Sequence, residues 1–244
     1  MNYKIYPISL GTKNNVEYST FTYRKHCGET LSAAYMCFLI KGENHNILVD
    51  SGAPNPKLAE TLSYPKLDGR TFLADELEKL GIKCEEIDTV ILTHLHWDHC
   101  YNLELFPNAK VYVQVRELQH AVNPSPFDKY MYVACPGDGL PGWFTAFPQL
   151  ERIDGDCSIL PGIDVLLTPG HTPGQMSVIV DTAQGKYILA SDILPLYENA
   201  ELGIPNGITI SFEDFYKSLE KIKATGAEII PGHDIKVMDH KVFG

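Results

Sequence analysis

The chain has 244 residues, 44% hydrophobic and 21% charged, a balance that excludes a disordered segment and allows a sizeable buried core. Its 20 basic and 31 acidic residues give a net charge of −11; with no block of Lys and Arg, such a surface repels phosphate backbones and argues against nucleic-acid binding. No apolar run approaches the ~20 residues of a membrane span, the opening residues show no signal-peptide pattern, and six scattered cysteines without a CxxC pair read as reduced thiols of a cytoplasmic protein.

Along the chain, runs of Ile, Val, Leu and Tyr bounded by Gly, Pro, Asn or Asp predict strands at residues 4–10, 34–41, 46–49, 89–92 and 110–115. Helical periodicity predicts a helix over 71–80, closed by Gly81. Residues 121–148 break the regular pattern. Asn123-Pro124-Ser125-Pro126, Cys135-Pro136-Gly137-Asp138-Gly139 and Pro141-Gly142 are turn chemistry, interleaved with six aromatic side chains. An irregular segment this rich in aromatics is either a surface excursion or the wall of a binding site; Tyr23, Trp97, Phe127, Trp143 and Phe144 are wall candidates, each of which alone reads as core or surface packing. Further strands are predicted at 164–167, 177–181, 187–190 and 228–230. A second helix is predicted at 212–225, where Phe212, Phe215, Leu219 and Ile222 recur at helical spacing between a Ser211 cap and Gly226. Strands interleaved with helices predict one layered α/β (α+β) domain over 1–244, sheets inside and helices outside, with 121–148 as an excursion.

The chemistry concentrates in Thr93-His94-Leu95-His96-Trp97-Asp98-His99, directly after the apolar run 89–92. Imidazole and carboxylate are the donors that divalent Zn, Fe or Mn accept. On an extended backbone His94 and His96 point the same way, while Asp98 and His99, a turn later, can address a second ion. The same grammar recurs downstream. His171 sits in Thr168-Pro169-Gly170-His171-Thr172-Pro173-Gly174, Asp192 follows Ile188-Leu189-Ala190-Ser191, and His233 follows Pro231-Gly232. Strand ends are stiff, and metal donors have to be held closely. Any one of these residues alone is an ordinary turn residue; together they read as one metal site.

This ordered set resembles the signature of the metallo-β-lactamase superfamily, over residues 47 to 233 and including Asp50 in Val49-Asp50-Ser51-Gly52. The resemblance implies a four-layer αβ/βα sandwich with the site between the edges of its two sheets. It implies that His94, His96 and His171 hold one metal, that Asp98, His99 and His233 hold a second, and that Asp192 bridges them. Asp50 would orient a ligand. The cofactors implied are two divalent ions, Zn2+ first, with Fe, Mn or Co accepted by the same donors. That donor set leaves room for a bridging hydroxide and so implies hydrolysis, with Asp98 placed to orient the hydroxide and move its proton.

Within the superfamily the chain resembles the N-acyl homoserine lactonase group, in residues 3–11, 94–102 and 106–113. That resemblance implies a small-molecule lactone substrate, and a Tyr shortly after the bridging Asp that hydrogen-bonds the lactone carbonyl; Tyr197, five residues beyond Asp192, is the candidate. The alternatives are hydrolysis of another ester, thioester or lactone, as in glyoxalase II-type enzymes, and a non-catalytic metal-binding domain. The chain is expected to act as a monomer or homodimer. Cys100 reads as a buried thiol, His26, His45, His120 and His240 as surface residues, and Asp234 as a residue that orients a neighbour.

Overall fold

In the computed structural model, which describes residues 2–132 and 139–244, two sheets face each other. The first runs in chain order: β1 (Lys4–Glu17), β2 (Thr30–Lys41), β3 (Asn46–Val49), β4 (Thr89–Ile91), β5 (Lys110–Gln114) and β6 (Leu150–Ile153). Its first three strands are antiparallel, and β3 through β6 are parallel. The second sheet comprises β7 (Cys157–Leu160), β8 (Ile163–Leu167), β9 (Met176–Thr182), β10 (Gly185–Ser191) and β11 (Glu228–Pro231), in the order β11-β10-β9-β8-β7. Only its β10–β11 pairing is parallel. The helices are α1 (Pro56–Ala59), α2 (Leu73–Lys79), α3 (Val115–Val122), α4 (Lys129–Tyr132), α5 (Tyr197–Leu202) and α6 (Phe212–Ala224).

Strand alternation builds the layers. Along β2, Met36, Phe38 and Ile40 enter the core between the sheets, where they meet Val165, Val178 and Val180 of the second sheet. Cys37 and Leu39, one residue out of phase, enter a second core with Leu73 and Leu77 of α2. On the far side, Ile179 and Ile188 pack against Phe215, Leu219 and Ile222 of α6. The result is the expected helix–sheet–sheet–helix order, in which β2 is buried on both faces and therefore reads as a continuous apolar run.

The helix α6 begins where its cap predicts: the Ser211 hydroxyl accepts from the Asp214 N–H at 3.3 Å. Gly81 and Gly226 close their helices with φ of +73° and +65°. Elsewhere the sequence pattern falls short. β1 runs on to Glu17 through two bulges, as a polar ribbon paired with the start of β2. β6 and β7 are short strands with few buried side chains, so neither shows an apolar run. The predicted strand 110–115 stops at Gln114 because Val115 opens α3. Within 121–148, α4 and a 3-10 segment at Gly142–Gln149 are formed; the predicted turn at Cys135-Pro136-Gly137-Asp138 lies outside the described residues.

This topology positions the site. β8, β10 and β11 point in one direction across their sheet, so His171, Asp192 and His233 all leave its same edge. The 94–99 loop leaves β4 of the facing sheet. Asp50 and Ser191, at the ends of β3 and β10, hold left-handed backbones with φ of +60° and +52°. Such conformations cost energy in residues other than Gly and collect where a site needs them.

Candidate metal centre

The structure brings His94, His96, Asp98, His99, His171, Asp192 and His233 into one buried cluster. The Nδ1 of His96 lies 3.1 Å from His94 Nε2 and 3.0 Å from His171 Nε2. Three imidazole nitrogens that converge this closely cannot all satisfy one another as neutral rings, since a lone pair then faces a lone pair. Asp98, His99 and His233 form a second group, with Asp98 Oδ2 at 3.6 Å from His99 Nε2 and 3.7 Å from His233 Nε2. Asp192 touches both groups. Its Oδ2 lies 3.6 Å from His171 Nε2, and its Oδ1 lies 3.3 Å from His99 and 3.1 Å from His233.

The outward-facing nitrogens of His99, His233 and His171 are held in turn. His99 Nδ1 donates to Asp50 Oδ2 at 2.8 Å, and His233 Nδ1 donates to the Ala34 carbonyl at 2.8 Å. His171 Nδ1 donates to the Ile208 carbonyl at 2.9 Å. These bonds place a proton on Nδ1 and direct Nε2 of these three rings into the cluster, where it can meet a metal. Asp50 also accepts from the Thr93 N–H and hydroxyl, which ties β3 to the start of the His94 loop.

The electrostatics agree with a cation site. Burial, reinforced by neighbouring imidazoles, holds His94 and His96 well below the ordinary histidine range, and burial lowers His171 as well. Both effects favour the neutral ring, the form that binds metal. Burial opposes charge on His99 and His233 too, but the carboxylates around them prevail and raise both. For Asp192 the adjoining charges of His233 and His99 overcome burial and push it well below the usual carboxylate range; for Asp98 burial prevails and raises it. His96 Nε2, Asp98 Oδ1 and His99 Nε2 are buried without a hydrogen-bond partner among the described residues. Buried polar atoms of this kind ask for an unplaced partner, and the donor set fits divalent ions.

Two residues outside the sequence signature hold the loops. Glu117, fully buried on α3, accepts four hydrogen bonds. Its Oε1 takes the Leu95 N–H at 3.0 Å and the Tyr132 hydroxyl at 2.9 Å; its Oε2 takes the Thr172 hydroxyl at 2.6 Å and the Gly174 N–H at 3.2 Å. One carboxylate thus clamps the His94–His96 loop to the His171 loop. Gly174 permits it, because a Cβ there would lie 2.1 Å from the Glu117 nitrogen. Asn206 donates to the Asp192 carbonyl at 3.0 Å and lies 3.3 Å from His171 Nδ1.

A cavity of about 270 Å3 reaches Asp98, Asp192 and His233 between apolar walls that include Phe21, Tyr35, Tyr64, Trp97 and Met131. Trp97 stacks on Tyr64 at 5.0 Å, and its backbone N–H donates to the Met131 carbonyl at 2.8 Å. Of the predicted wall residues, only Trp97 lines this cavity. Tyr23 is exposed against Phe212, Phe127 and Phe144 are exposed, and Trp143 is buried in the α2-side core. The 121–148 segment still contributes, through Tyr130 and Met131. Tyr197 lies elsewhere. It opens α5, its N–H donates to Asp234 Oδ2 at 3.2 Å, and its side chain lines a separate cavity with Tyr18 and Glu198.

Cys100 is buried as expected, with its thiol on the Leu95 carbonyl. The four remaining histidines all have partners. His26 meets Glu198, His45 meets Asp88, and His240 stacks on Phe243. His120 is largely covered and lies 2.6 Å from Asp128, so it is no surface residue. Asp234 orients its neighbours by accepting from the Lys236 and Tyr197 N–H groups.

The chain belongs to the metallo-beta-lactamase superfamily, whose family model matches residues 34–233. It is a metal-dependent hydrolase of that superfamily, and its similarity runs toward one group within it. The N-acyl homoserine lactonase AiiA of Bacillus thuringiensis subsp. kurstaki is 27% identical over 225 residues, covering 86% of this chain and 84% of that one. A solved N-acyl homoserine lactone hydrolase, with the product N-hexanoyl-L-homoserine bound at its catalytic metal center, superposes with a TM-score of 0.80 at 25% identity over 98% of this chain and 96% of the other. The dizinc quorum-quenching lactonase AidC shares the fold, with a TM-score of 0.73 at 19% identity over 96% and 88% of the two chains.

Proposed function

We propose that the chain is a dinuclear metal-dependent lactonase that opens the ring of an N-acyl homoserine lactone. The observation that carries the reading is Asp192, which stands between the two groups: its Oδ2 lies 3.6 Å from His171 Nε2 and 3.2 Å from His233 Nε2, and its Oδ1 lies 3.3 Å from His99 Nε2 and 3.1 Å from His233 Nε2. Zinc is the ion proposed for both positions. Ions bound there would lower the pKa of a water and polarise the substrate carbonyl. The chain's own residues do the rest. The apolar walls hold an acyl group and exclude water, and Asp98, buried at the cavity with its Oδ1 unpartnered, accepts the proton of the attacking water and returns it to the leaving alkoxide. A cavity this size suits a small molecule. The resemblance to quorum-quenching lactonases supports that role for this chain, and the five described unpaired cysteines support a reducing, cytoplasmic setting. No helix among the described residues is long and apolar enough to cross a membrane.

The test is hydrolysis of a short- and a long-chain acyl homoserine lactone by pH-stat, with elemental analysis of the same sample. Turnover with about two ions per chain is the expected result. Two ions without turnover would overturn the lactone assignment and direct the search to other esters and thioesters.

A further inference from the structure

The loop that leaves Asp192 carries Tyr197 away from the cavity, and a different tyrosine stands in it. Tyr35 lies midway along β2. Alternation sends Ala34 and Met36 into the core between the sheets, and Ala33 and Tyr35 to the face that carries Phe21, Tyr64 and Trp97. The adjacent Ala34 grips His233 twice: its carbonyl accepts from His233 Nδ1 at 2.8 Å, and its N–H donates to the His233 carbonyl at 3.0 Å. Tyr35 is therefore fixed in register against that ring, which it meets edge-on at 5.1 Å, and it leans on Trp97 at 5.6 Å. Its side chain lines the cavity together with Asp98 and Asp192. The residue is only 8% exposed, and its hydroxyl makes no hydrogen bond to any described residue. A buried phenol ordinarily finds a partner; here the space available for one is the cavity itself.

We propose that Tyr35 is a catalytic residue whose hydroxyl donates a hydrogen bond to the carbonyl oxygen of the bound lactone and to the oxyanion that forms there. The assignment rests on the hydrolase reading above. As the oxygen of water adds to the carbonyl carbon, the π pair of the C=O bond moves onto oxygen, where the Tyr35 O–H stabilises the new charge without giving up its proton. When the C=O bond re-forms, the ring C–O bond breaks, and the departing alkoxide takes the proton that the water lost to Asp98. The product is an open-chain hydroxy acid.

Tyr35→Phe removes only the oxygen and keeps the ring packing. With metal content and melting temperature unchanged, kcat is expected to fall about 10- to 100-fold, the worth of one hydrogen bond to a charged oxygen, while KM stays within about twofold. Affinity for a ring-opened acyl homoserine, measured by calorimetry, is expected to weaken about tenfold, because its carboxylate takes the same bond. The same substitution at Tyr197 separates the two tyrosines, and a loss there equal to or larger than the loss at Tyr35 overturns the assignment. So does an unchanged kcat in Tyr35→Phe, or a loss of metal or of thermal stability that accounts for the fall. A p-nitrophenyl ester run alongside keeps the two readings distinct. If the unmodified enzyme hydrolyses the ester but not the lactone, the lactone reading falls and Tyr35 is judged on the ester. If it hydrolyses neither, both fall.

Discussion

Substituting Glu117 by Gln tests whether one buried carboxylate sets the spacing of the two loops that carry the candidate metal ligands. The change is isosteric and removes the charge, so packing on α3 stays the same. The carboxylate accepts two hydrogen bonds on each oxygen, one pair tied to Leu95 and Tyr132 and the other to Thr172 and Gly174. An amide has one oxygen and one NH2 group. Whichever way it is turned, one pair of donors keeps its acceptor; in the other, the hydroxyl can turn to accept from the amide, but the backbone N–H is left facing an N–H group. A buried N–H without an acceptor costs about 1–3 kcal/mol. For a chain of 244 residues each kcal/mol moves the melting temperature by about 2–4 °C, giving an expected drop of about 2–12 °C. Released from its clamp, one loop no longer holds its imidazoles on station, and metal affinity is expected to fall about 10- to 100-fold. Scanning calorimetry of the metal-free protein reads the first effect, and competition with a chromophoric chelator reads the second. A normal melting temperature together with normal metal affinity would refute the clamp.

Asp98→Asn is expected to retain most of its metal by elemental analysis yet lose turnover by about 10^2- to 10^4-fold, as befits a proton carrier; unchanged turnover would remove that role. Asp192→Ala is expected to release at least one ion, and full occupancy would show that no carboxylate bridge is needed. His26 is raised above 6.5 by its hydrogen bond to Glu198. Because the folded value is the higher one, the pair's contribution is complete below the unfolded pKa and fades as pH rises through the folded value. An NMR titration of the imidazole should place its midpoint above 6.5, and Glu198→Gln should return it toward the ordinary range. A midpoint that ignores that substitution would mean another group sets it.

The cluster of candidate metal donors was legible because its signal is local. Four of the seven fall within six residues of the 94–99 loop, and the others stand in tight turns at strand ends. The strands buried on both faces were legible for a similar reason, since their apolar runs need no partner to be recognised. Glu117 was not, because its meaning comes from Thr172 and Gly174, more than fifty residues downstream; by itself it is one acidic residue on an amphipathic helix. Tyr35 was hidden in the apolar run of β2, where only the pairing register says which side chains face the cavity. Tyr197 shows the limit of spacing as a guide. Nearness to Asp192 in sequence said nothing of direction: Tyr197 opens α5, packs against the core between the sheets and lines a separate cavity. β6 and β7 escaped because half-exposed short strands leave no periodic trace.

Metal removal is expected to destabilise the fold. Five imidazoles and two carboxylates are buried together, with His96 Nε2, Asp98 Oδ1 and His99 Nε2 lacking hydrogen-bond partners among the described residues. The unfolded chain hydrates each of these groups separately, so the folded cluster is unfavourable until a cation compensates it. Binding energy at such a site adds directly to folding energy. At free metal 1,000 times Kd, one ion contributes ~4.1 kcal/mol, which corresponds to about 8–16 °C in melting temperature for a chain of this size. Treatment with EDTA is expected to lower the transition by at least that interval, and titration with Zn2+ to restore it. The Asp192→Ala variant, short of one shared ligand, should show a smaller response. If chelation strips the ions by elemental analysis and the transition does not move, the cluster is held by hydrogen bonds alone, and its burial has another cause.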